Sequence, residues 1–509
     1  CRINFYNYSS ECGKSIANKI ISDDMFIGID VGSTTIKLGL VDIKGKLISY
    51  FTSPYNTNRV SEKQVEQDPN DWINLILKGL REFKNTHPKY ELSALSICSQ
   101  VNTHIFIDQY GEPLLPAIFW QDVRAKNEAK EINDNIKNDQ KISWWGTPMP
   151  IDASHAISRM LWVKKNKPEV WKKTKYVMLP KDYCIFKLTG EILSDPLSNI
   201  GLVDNNLKYI DELLELVPGA IKKVPPLKNI TDTVGEIKKE YPFKGTKIIN
   251  GTMDAWVGLL GTGGFESKKN IYLSGTSEIL GINSKVVIPT PGIIVFPENE
   301  NIKLHAGPTQ SGGASKLWFC NLFNLTPIEM NKLVEKENFN NVVPIFLPHL
   351  QGERAPLWEP NLKGVFYGMT SKTNKANLAR SVYEGVSFSA RLILESLELS
   401  SDCINKEINC GGGGFQADIW NQIRANVLNK KINRLTIKDP GILGSVGIAG
   451  YGSGIFTSIN QAFEEMITFD KFYEPDQSKL NYYSDLFEIY KNLTESNIKI
   501  SEKFSKFTE

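Results

Sequence analysis

Two aspartates beside glycine-containing turns are the first candidates for chemistry in this chain of 509 residues. Asp30 ends a short apolar run and opens the stretch 30–37, Asp-Val-Gly-Ser-Thr-Thr-Ile-Lys. A hairpin of this composition can direct N–H groups and hydroxyls at phosphate oxygens, and a carboxylate at a strand end can hold Mg²⁺ through waters. An ordinary glycine turn is an equal alternative for this octet alone. The phosphate-binding candidates are Gly32, Ser33, Thr34 and Lys37.

Asp254 is the second aspartate, in Asn-Gly-Thr-Met-Asp-Ala-Trp-Val-Gly at 250–258. It follows a turn and precedes a helix of small residues. A hydroxyl nucleophile needs a base within hydrogen-bonding reach, and a carboxylate in a closed cleft can serve. Aspartate is also a favoured helix N-cap, and from the local pattern alone we prefer the cap.

Two further glycine-containing segments resemble ligand-binding turns. Gly275 and Thr276 lie in Ser-Gly-Thr-Ser at 274–277, which repeats the hairpin pattern of the first segment and, taken alone, is at least as compatible with a plain turn. Four consecutive glycines at 411–414 separate a strand from a helix, and such a run is costly to order unless a ligand must approach closely. The loop could accept a flat ligand such as adenine, whose edge an amide can bind. The candidates here are Gly412, Gly413 and Gln422.

Other common sites are absent from the sequence. It contains neither a G-x-x-x-x-G-K-[ST] loop nor a G-x-G-x-x-G that opens a helix. Seven scattered cysteines and five scattered histidines form no disulfide framework and no metal-binding spacing. A net charge of +2 provides no overall field for nucleic acid or an acidic membrane, and no apolar run is long enough to span a bilayer. We expect a soluble cytoplasmic protein without a structural metal.

The elements that must position these residues alternate between strands and helices, which indicates an α/β architecture. Strands at 26–30, 36–41 and 46–51 are joined by tight turns, and Asp68-Pro69 is a helix-start signal for a helix that reaches residue 85. Further helices are predicted at 376–400, 417–428 and 445–454, and a strand at 408–415.

A rough doubling organises the chain. The strand–turn–strand pattern around 30–34 recurs around 274–277, so two α/β halves would present phosphate-binding turns on both walls of a cleft. We predict a division near 261–267, which gives an N-terminal domain at 25–264 and a C-terminal domain at 265–509. The polar residues 1–24 are expected to be an extension that precedes the first core strand.

These motifs, in this order, resemble the FGGY carbohydrate kinases of the actin-like ATPase superfamily. The resemblance runs from about residue 26 to 456. Further matching segments are Ser-Gln-Val-Asn-Thr-His at 99–104, Pro-Ala-Ile-Phe-Trp-Gln-Asp-Val-Arg at 116–124, Pro-His-Leu-Gln-Gly-Glu-Arg-Ala-Pro at 348–356 and Gly-Val-Phe-Tyr-Gly at 364–368. Leu-Pro-Lys-Asp-Tyr at 179–183, with 188–191 and 194–195, is similar to the xylulokinase-like branch in particular.

The resemblance implies two ribonuclease-H-like domains that flank a central cleft and close on ATP and a sugar. It implies Asp254 as the general base and Asp30 as the residue linked to Mg²⁺. Thr34 and Thr276 would contact phosphate. Gly412, Gly413 and Gln422 would lie at the adenosine end.

The segment that selects the sugar departs from the pattern of the relatives. Xylulokinases usually carry Met-His where this chain has Val101-Asn102, and glycerol kinases carry Arg-Glu. We therefore assign Asn102 to the substrate. His104 is expected to pack on its strand rather than to replace the missing histidine. Asp152 falls where glycerol kinases place an aromatic side chain. It could accept hydrogen bonds from a sugar or cap the following helix, and we favour the cap.

The resemblance predicts ATP-dependent phosphorylation of a small sugar, most simply a ketopentose such as xylulose. A polyol or another ketose is the alternative within the family, and a non-sugar ATPase switch is the alternative from another class. The segment at 120–124 and the xylulokinase-like stretch argue against the switch. A homodimer is among the assemblies that relatives adopt.

Overall fold

The computed structural model describes residues 24–146, 148–149, 151–339 and 341–507. Most of the predicted extension at 1–24 therefore lies outside the described residues. The strands are β1 (Met25–Val31), β2 (Thr35–Asp42), β3 (Leu47–Pro54), β4 (Asn58–Arg59), β5 (Val65–Gln67), β6 (Leu92–Ser99), β7 (Ile105–Ile107), β8 (Ala117–Ile118), β9 (Tyr176–Met178), β10 (Thr233–Glu236), β11 (Lys247–Ile249), β12 (Asn270–Ser274), β13 (Glu278–Asn283), β14 (Ile294–Val295), β15 (Leu304–Thr309), β16 (Ile345–Leu347), β17 (Val365–Tyr367), β18 (Glu407–Gly411), β19 (Lys431–Leu435) and β20 (Phe469–Tyr473).

Helices cover and connect the sheets. They are α1 (Pro69–Thr86), α2 (Lys126–Asp134), α3 (Asn138–Trp145), α4 (Ala156–Asn166), α5 (Pro168–Lys173), α6 (Pro180–Thr189), α7 (Asp211–Glu215), α8 (Asp254–Leu259), α9 (Gly313–Leu322), α10 (Pro327–Glu335), α11 (Lys375–Ser401), α12 (Asp418–Leu428), α13 (Pro440–Gly452), α14 (Ile459–Met466) and α15 (Leu480–Ser505). Within the described ranges, none of them combines the length and the apolar character that a bilayer crossing requires.

Two large sheets have matching topologies. The first has the order β10-β11-β6-β1-β2-β3, in which β1, β2 and β3 are antiparallel neighbours and β6 and β11 run parallel to β1. In the second sheet, β12, β13 and β15 are the antiparallel strands, and β18 and β19 run parallel to β12. Each sheet ends, beyond its parallel strands, in one antiparallel strand. In the first sheet β10 pairs with β11, and in the second β20 pairs with β19. The doubling predicted from the hairpins is therefore present in the strand order.

Several predicted elements are confirmed by the structure. Helix α1 begins at Pro69, and the Asp68 carboxylate accepts the N–H of Asn70, as the Asp-Pro signal predicts. The long helix predicted at 376–400 is α11. Helix α13 starts at Pro440 rather than at residue 445. Asp439 is its N-cap and Pro440 its first residue, the same start signal that begins α1, which the prediction of residue 445 did not take into account. Strand β18 ends at Gly411, and a 3₁₀ turn at Gly413–Gln416 occupies the rest of the predicted strand.

Helix α13 joins the two halves of the chain. It follows the second sheet in sequence, but it packs on β1 and β6 of the first sheet and on α8. Gly28 of β1 allows this approach, because a Cβ there would lie 2.4 Å from the Ile442 carbonyl oxygen. One buried cluster accordingly contains Phe26 and Ala94 from the first half together with Ile442 and Val446 from the second. The apolar core is therefore continuous across the proposed division.

Candidate active site

The carboxyl ends of parallel strands bring the two aspartates to one edge of the first sheet. Asp30 lies next to the end of β1, and β6 runs parallel to it as far as Ser99. A parallel bridge between Ser99 and Met253 then aligns the chain after β11 with the end of β6. Asp254 follows Met253 directly, and its carboxylate interacts electrostatically with that of Asp30. Two acidic residues 224 positions apart in sequence therefore share one site.

Asp254 does not cap a helix. It is the first residue of α8, the N-cap position belongs to Met253, and no side-chain capping bond is present there. The Asp254 carboxylate accepts the adjacent Ala255 N–H at 2.7 Å and keeps partial access to solvent. Burial, and then the negative charge of Asp30, raise its pKa to about 7. A carboxylate with this pKa can take up a proton near neutral pH, as a general base must.

Asp30 has one oxygen without a partner. Its Oδ1 is buried and accepts no hydrogen bond from any described residue, while Oδ2 lies 3.5 Å from Lys37 Nζ. Burial raises the pKa of Asp30, and Lys37 opposes that shift. Among the described residues, no group of three or more His, Cys, Asp or Glu side chains could hold a metal ion. A metal at Asp30 would therefore take most of its ligands from phosphate and water, an arrangement that suits Mg²⁺.

Lys37, a predicted phosphate contact, is engaged with carboxylates. Its Nζ lies 2.8 Å from Asp439 Oδ1, at the residue that precedes α13. Burial disfavours the charged amine, but the charges of Asp30 and Asp439 outweigh burial and raise the pKa of Lys37. The lysine is therefore charged, and its ion pair with Asp439 links the first sheet to the second half of the chain.

The turn between β1 and β2 is stabilised from several sides. The Gly32 N–H donates to the Thr35 carbonyl at 3.1 Å, which closes the hairpin. The Tyr55 hydroxyl donates to the Gly32 carbonyl, and the indole N–H of Trp120 donates to Ser33 Oγ at 3.0 Å. Thr34 remains exposed at the tip. The structure thus fixes the hairpin and leaves the Thr34 hydroxyl available to a ligand.

The turn between β12 and β13 is the counterpart in the second sheet. The Gly275 N–H donates to the Ser277 carbonyl at 2.9 Å. Carbonyl groups of Gly275 and Thr276 accept the N–H groups of Gly313 and Ala314 at the start of α9. The side chain of Thr276 is exposed.

The glycine loop packs against this second hairpin. A Cβ at Gly412, whose φ is +99°, would lie 2.4 Å from the Ser274 carbonyl oxygen, and a Cβ at Gly414 would lie 1.9 Å from Ser274 Oγ. A Cβ at Gly413, in contrast, would have no atom beyond its chain neighbours within 4 Å. Two glycines are therefore required by packing, and Gly413 faces open space where a ligand could lie.

A buried ion pair that the sequence did not reveal holds this loop. Arg424 donates to the Gly414 carbonyl at 2.9 Å, to Ser274 Oγ at 3.0 Å and to Glu278 Oε1 at 2.6 Å. Its only sequence signal is a charged residue four positions after Trp420, on the apolar face of α12. Gln422, which was predicted at the adenosine end, donates to Asn426 Oδ1 and to the Glu474 carbonyl. A nucleotide contact by Gln422 stays a prediction.

The residues predicted to contact the sugar, Asn102 and Asp152, both lie next to Ser154 in the first half of the chain. We call this region the acceptor wall. Asn102 has a positive φ of 55°, and among the described residues its side-chain amide makes only a 3.4 Å contact with Ser154 Oγ. Asp152 is exposed, and its carboxylate accepts the N–H and the hydroxyl of Ser154 and the N–H of His155, which is the N-cap residue of α4. The prediction that Asp152 caps the helix is wrong, because His155 is the N-cap and Asp152 closes the turn before it. Its contact with a sugar stays a prediction.

Arg159 organises this wall and was missed at the sequence level. Its buried guanidinium donates to four carbonyl groups, those of Asn102, Ile118, Phe119 and Asp122. It also contacts His104 Nδ1 at 3.0 Å. His104 is buried, so the prediction that it packs on its strand is confirmed.

The xylulokinase-like stretch supports the turn before Asp254 rather than the ligand itself. Lys181 Nζ is buried and lies 2.8 Å from Asp182, 3.1 Å from Asp195 and 2.9 Å from Asn250 Oδ1. Asp195 also accepts the Thr252 hydroxyl at 2.6 Å. These contacts fix the chain on both sides of Gly251 and so orient the residue that follows.

Family models match most of the chain. The model of the N-terminal domain of the FGGY family of carbohydrate kinases matches residues 25–261, and the model of the C-terminal domain matches residues 272–453. The chain is 26% identical to a xylulose kinase of Staphylococcus xylosus, over 92% of this chain and 99% of the relative.

Solved structures share the fold over nearly the full length. A gluconate kinase from Lactobacillus acidophilus aligns with a TM-score of 0.86 at 26% identity, and the alignment covers 94% of this chain and 99% of the other. A ligand-bound xylulose kinase from Lactobacillus acidophilus gives the same TM-score and identity, with coverage of 94% and 100%.

Proposed function

The chain belongs to the FGGY family of carbohydrate kinases, and from this premise we propose that its acceptor is a ketopentose such as xylulose. The family has the actin-like ATPase fold, and its members phosphorylate a sugar with ATP, so this chain is an ATP-dependent sugar kinase. The relatives named xylulose kinase support the choice of acceptor. The observation that carries the proposed mechanism is the Asp254 carboxylate, which shares the sheet edge with Asp30 and has a pKa raised to about 7.

In the proposed mechanism, Asp254 is the general base. The acceptor hydroxyl donates to the Asp254 carboxylate and loses its proton to it. The acceptor oxygen forms a bond to the γ-phosphorus while the bond between that phosphorus and the bridging oxygen of ADP breaks. The Ala255 N–H holds one carboxylate oxygen, which leaves the other free for the acceptor.

Charge on the phosphates would be offset from both halves of the chain. We assign the Gly32, Ser33 and Thr34 turn and the Gly275 and Thr276 turn to the phosphates, because the exposed hydroxyls of Thr34 and Thr276 support hydrogen bonding to phosphate oxygens. Lys37, held charged by its carboxylate partners, would contribute a cation.

Asp30 is the proposed Mg²⁺-linked residue. Its unpartnered buried oxygen supports this assignment, since such an atom is costly unless a cation or water satisfies it. When bound, Mg²⁺ would neutralise part of the phosphate charge. Asp30 itself would hold the Mg²⁺ ion on the side of the cleft where Lys37 also lies.

Adenosine and the acceptor would occupy opposite ends of the cleft. We propose Gly412 and Gly413 at the adenosine end, with Gln422 nearby, and the open space at Gly413 supports this. At the acceptor end we propose Asn102 and Asp152. The weakly engaged amide of Asn102 supports its availability to a substrate.

The remaining proposals concern the whole chain. We propose an N-terminal domain at 25–264 that contains the base and a C-terminal domain at 265–509 that binds the nucleotide. Because ATP is the phosphoryl donor, we propose that the enzyme works in the cytoplasm. A homodimer is the assembly to test first, by light scattering.

A screen of ADP release tests the acceptor. Xylulose, ribulose, xylitol, glycerol and gluconate are supplied with ATP and Mg²⁺, and ADP is measured with a coupled assay. The proposal predicts the highest kcat/KM with xylulose and little ADP without an acceptor. A preference for gluconate or glycerol would replace the proposed acceptor, and equal ADP release with and without sugars would contradict a ketopentose kinase.

A further inference from the structure

Arg354 differs from the other enclosed arginines because its side chain has no polar partner among the described residues. Arg159, Arg380 and Arg424 each donate to carbonyl groups or carboxylates. The Arg354 guanidinium makes neither a hydrogen bond nor an ion pair with any residue that the structure describes, although burial lowers its pKa. A guanidinium carries five N–H donors, and at partly exposed Arg354 these donors are available to water or to a ligand. The group is therefore suited to a partner that is not part of the protein.

The backbone of Arg354 is held in place by its neighbour. The buried Glu353 carboxylate accepts the Thr309 hydroxyl at 2.8 Å, the Gln310 N–H at 2.9 Å and the Arg354 N–H at 2.8 Å. The next residue, Ala355, donates its N–H to the Pro308 carbonyl of β15. The arginine thus projects from a rigid segment of the second half.

The guanidinium reaches the acceptor wall of the first half. Its central carbon lies 5.3 Å from the centroid of the Trp120 ring. The same Trp120 donates its indole N–H to Ser33 of the phosphate turn and its backbone N–H to Thr103, next to Asn102. Glu353 and Asp152 are the carboxylates whose charges act on Arg354. Arg354 therefore lies among the residues that we assign to the acceptor, although it comes from the opposite half.

We propose that Arg354 binds the acceptor and selects for a carbonyl oxygen. This inference rests on the proposed function and adds the substrate class that the site prefers. A guanidinium has donors and no acceptor, so it suits a carbonyl or carboxylate oxygen better than a hydroxyl, which must also place its own proton. The contact of the guanidinium carbon with the Trp120 ring restricts the side chain, so less freedom is lost when the acceptor binds. A ketose is thereby favoured over the polyol with the same carbon chain.

The role of Arg354 in acceptor choice is tested by titration calorimetry and steady-state kinetics with xylulose and its polyol counterpart xylitol. Arg354→Gln should weaken xylulose binding about 10- to 100-fold, the range for a lost hydrogen bond to a charged group, and should weaken xylitol binding less. Arg354→Lys keeps the positive charge but loses the planar arrangement of N–H donors. Its loss of xylulose binding should therefore be smaller than that of Arg354→Gln. The melting temperature and the KM for ATP should stay near wild type for both variants.

Arg391→Gln is the matched control. Arg391 also lies over an aromatic ring, at 4.3 Å from the Phe487 centroid, but it pairs with Glu395 on α11. Its loss should leave acceptor binding unchanged.

Equal losses for xylulose and xylitol in Arg354→Gln, no loss, or an effect confined to ATP or to the melting temperature would overturn the inference. Binding that depends on Arg354 without ADP formation would refute the proposed phosphotransfer instead, and xylulose turnover that is independent of Arg354 would refute only the inference.

Discussion

At the scale of single residues, the site depends on two carboxylates that the fold brings to the same strand edge. Asp30 has a neighbouring cation, and its unpartnered oxygen suits a metal. Asp254 has no cation in direct contact among the described residues, so burial and the charge of Asp30 dominate its titration. The difference in environment supports the different roles that we propose for two chemically identical side chains: Asp30 for the cation and Asp254 for the proton.

The pH dependence of the reaction should report the Asp254 carboxylate. Because its pKa is raised to about 7, kcat/KM should fall about tenfold per pH unit below that value and level off above it. Lys37→Met should shift the fall in kcat/KM to higher pH, because the positive charge of Lys37 lowers the pKa of Asp254. Lys44→Met, at an exposed turn after the same strand, is the control. A profile that is flat between pH 5.5 and 8 would count against this assignment.

Asn102 should affect the acceptor and not the nucleotide. Asn102→Ala removes an amide that has only one weak contact in the described part of the protein, so we expect the KM for the sugar to rise while the KM for ATP changes little. The backbone at Asn102 is left-handed, which alanine disfavours. Asn324→Ala, at a position outside the proposed site with a φ of 51°, controls for that strain. Equal changes in both KM values would remove Asn102 from the acceptor site.

At the scale of elements, turns and loops at the sheet edges carry the proposed site, while buried ion pairs behind them set their shape. Arg424 and Glu278 join the glycine loop to the second hairpin. Lys181 and Asp195 support the turn before α8. Breaking one side of such a buried pair leaves an uncompensated charge, which typically costs about 3–5 kcal/mol. These buried pairs therefore hold the loops in position and leave the space of the proposed ligands open.

Substitution of Gly413 tests whether this loop contacts the nucleotide. Gly413→Val adds a branched side chain where a Cβ meets no atom within 4 Å, so the fold should tolerate it. If adenosine occupies that space, the dissociation constant for ATP should rise at least about tenfold, equivalent to about 1.4 kcal/mol. Gly412→Ala provides the contrast, since its methyl group would meet the Ser274 carbonyl and should lower the melting temperature. Unchanged ATP affinity in a folded Gly413→Val protein would make the loop purely structural.

Local signals allowed the surface elements of the site to be predicted, but not its supports. The hairpins and α1 follow from turn composition and from the Asp68 cap, which depend on neighbours in sequence. Arg159 and Arg424 could not be assigned, because each is satisfied by groups that only the fold brings near. The predicted start of α13 was wrong for a different reason: the Asp439-Pro440 start signal is local, but a helix that is buried on all sides lacks the amphipathic pattern that would have extended the prediction back to it.

At the scale of the whole molecule, the two halves are joined by packing and by charge. Helix α13 lies against the first sheet, and the residue before it, Asp439, pairs with Lys37. Trp120 and Arg354 meet from opposite halves at the acceptor wall. The shared core near α8 and α13 therefore joins the two halves behind the turns that we propose to bind ligand.

Gly28→Ala should destabilise the whole molecule through this core. Its methyl group would meet the Ile442 carbonyl at 2.4 Å, and overpacking of this kind typically costs about 1–3 kcal/mol. Because residues of both halves share the cluster, calorimetry should show one transition that moves to lower temperature as a unit. Gly413→Ala, in open space, should leave that transition in place. Two separate transitions, of which only one responds to Gly28→Ala, would contradict a shared core.

The central claim, that Asp254 is the base of this sugar kinase, is tested most directly by turnover of Asp254→Asn. Asparagine keeps the size of the side chain but cannot take the proton, so kcat should fall about 10²- to 10⁴-fold while ATP affinity is kept. Folding raises the pKa of Asp254 from 3.8 to about 7, so the stability linked to its protonation is lost as pH rises through 7. The variant should therefore melt no lower than wild type at pH 8. Near-normal turnover with the sugar would contradict the account.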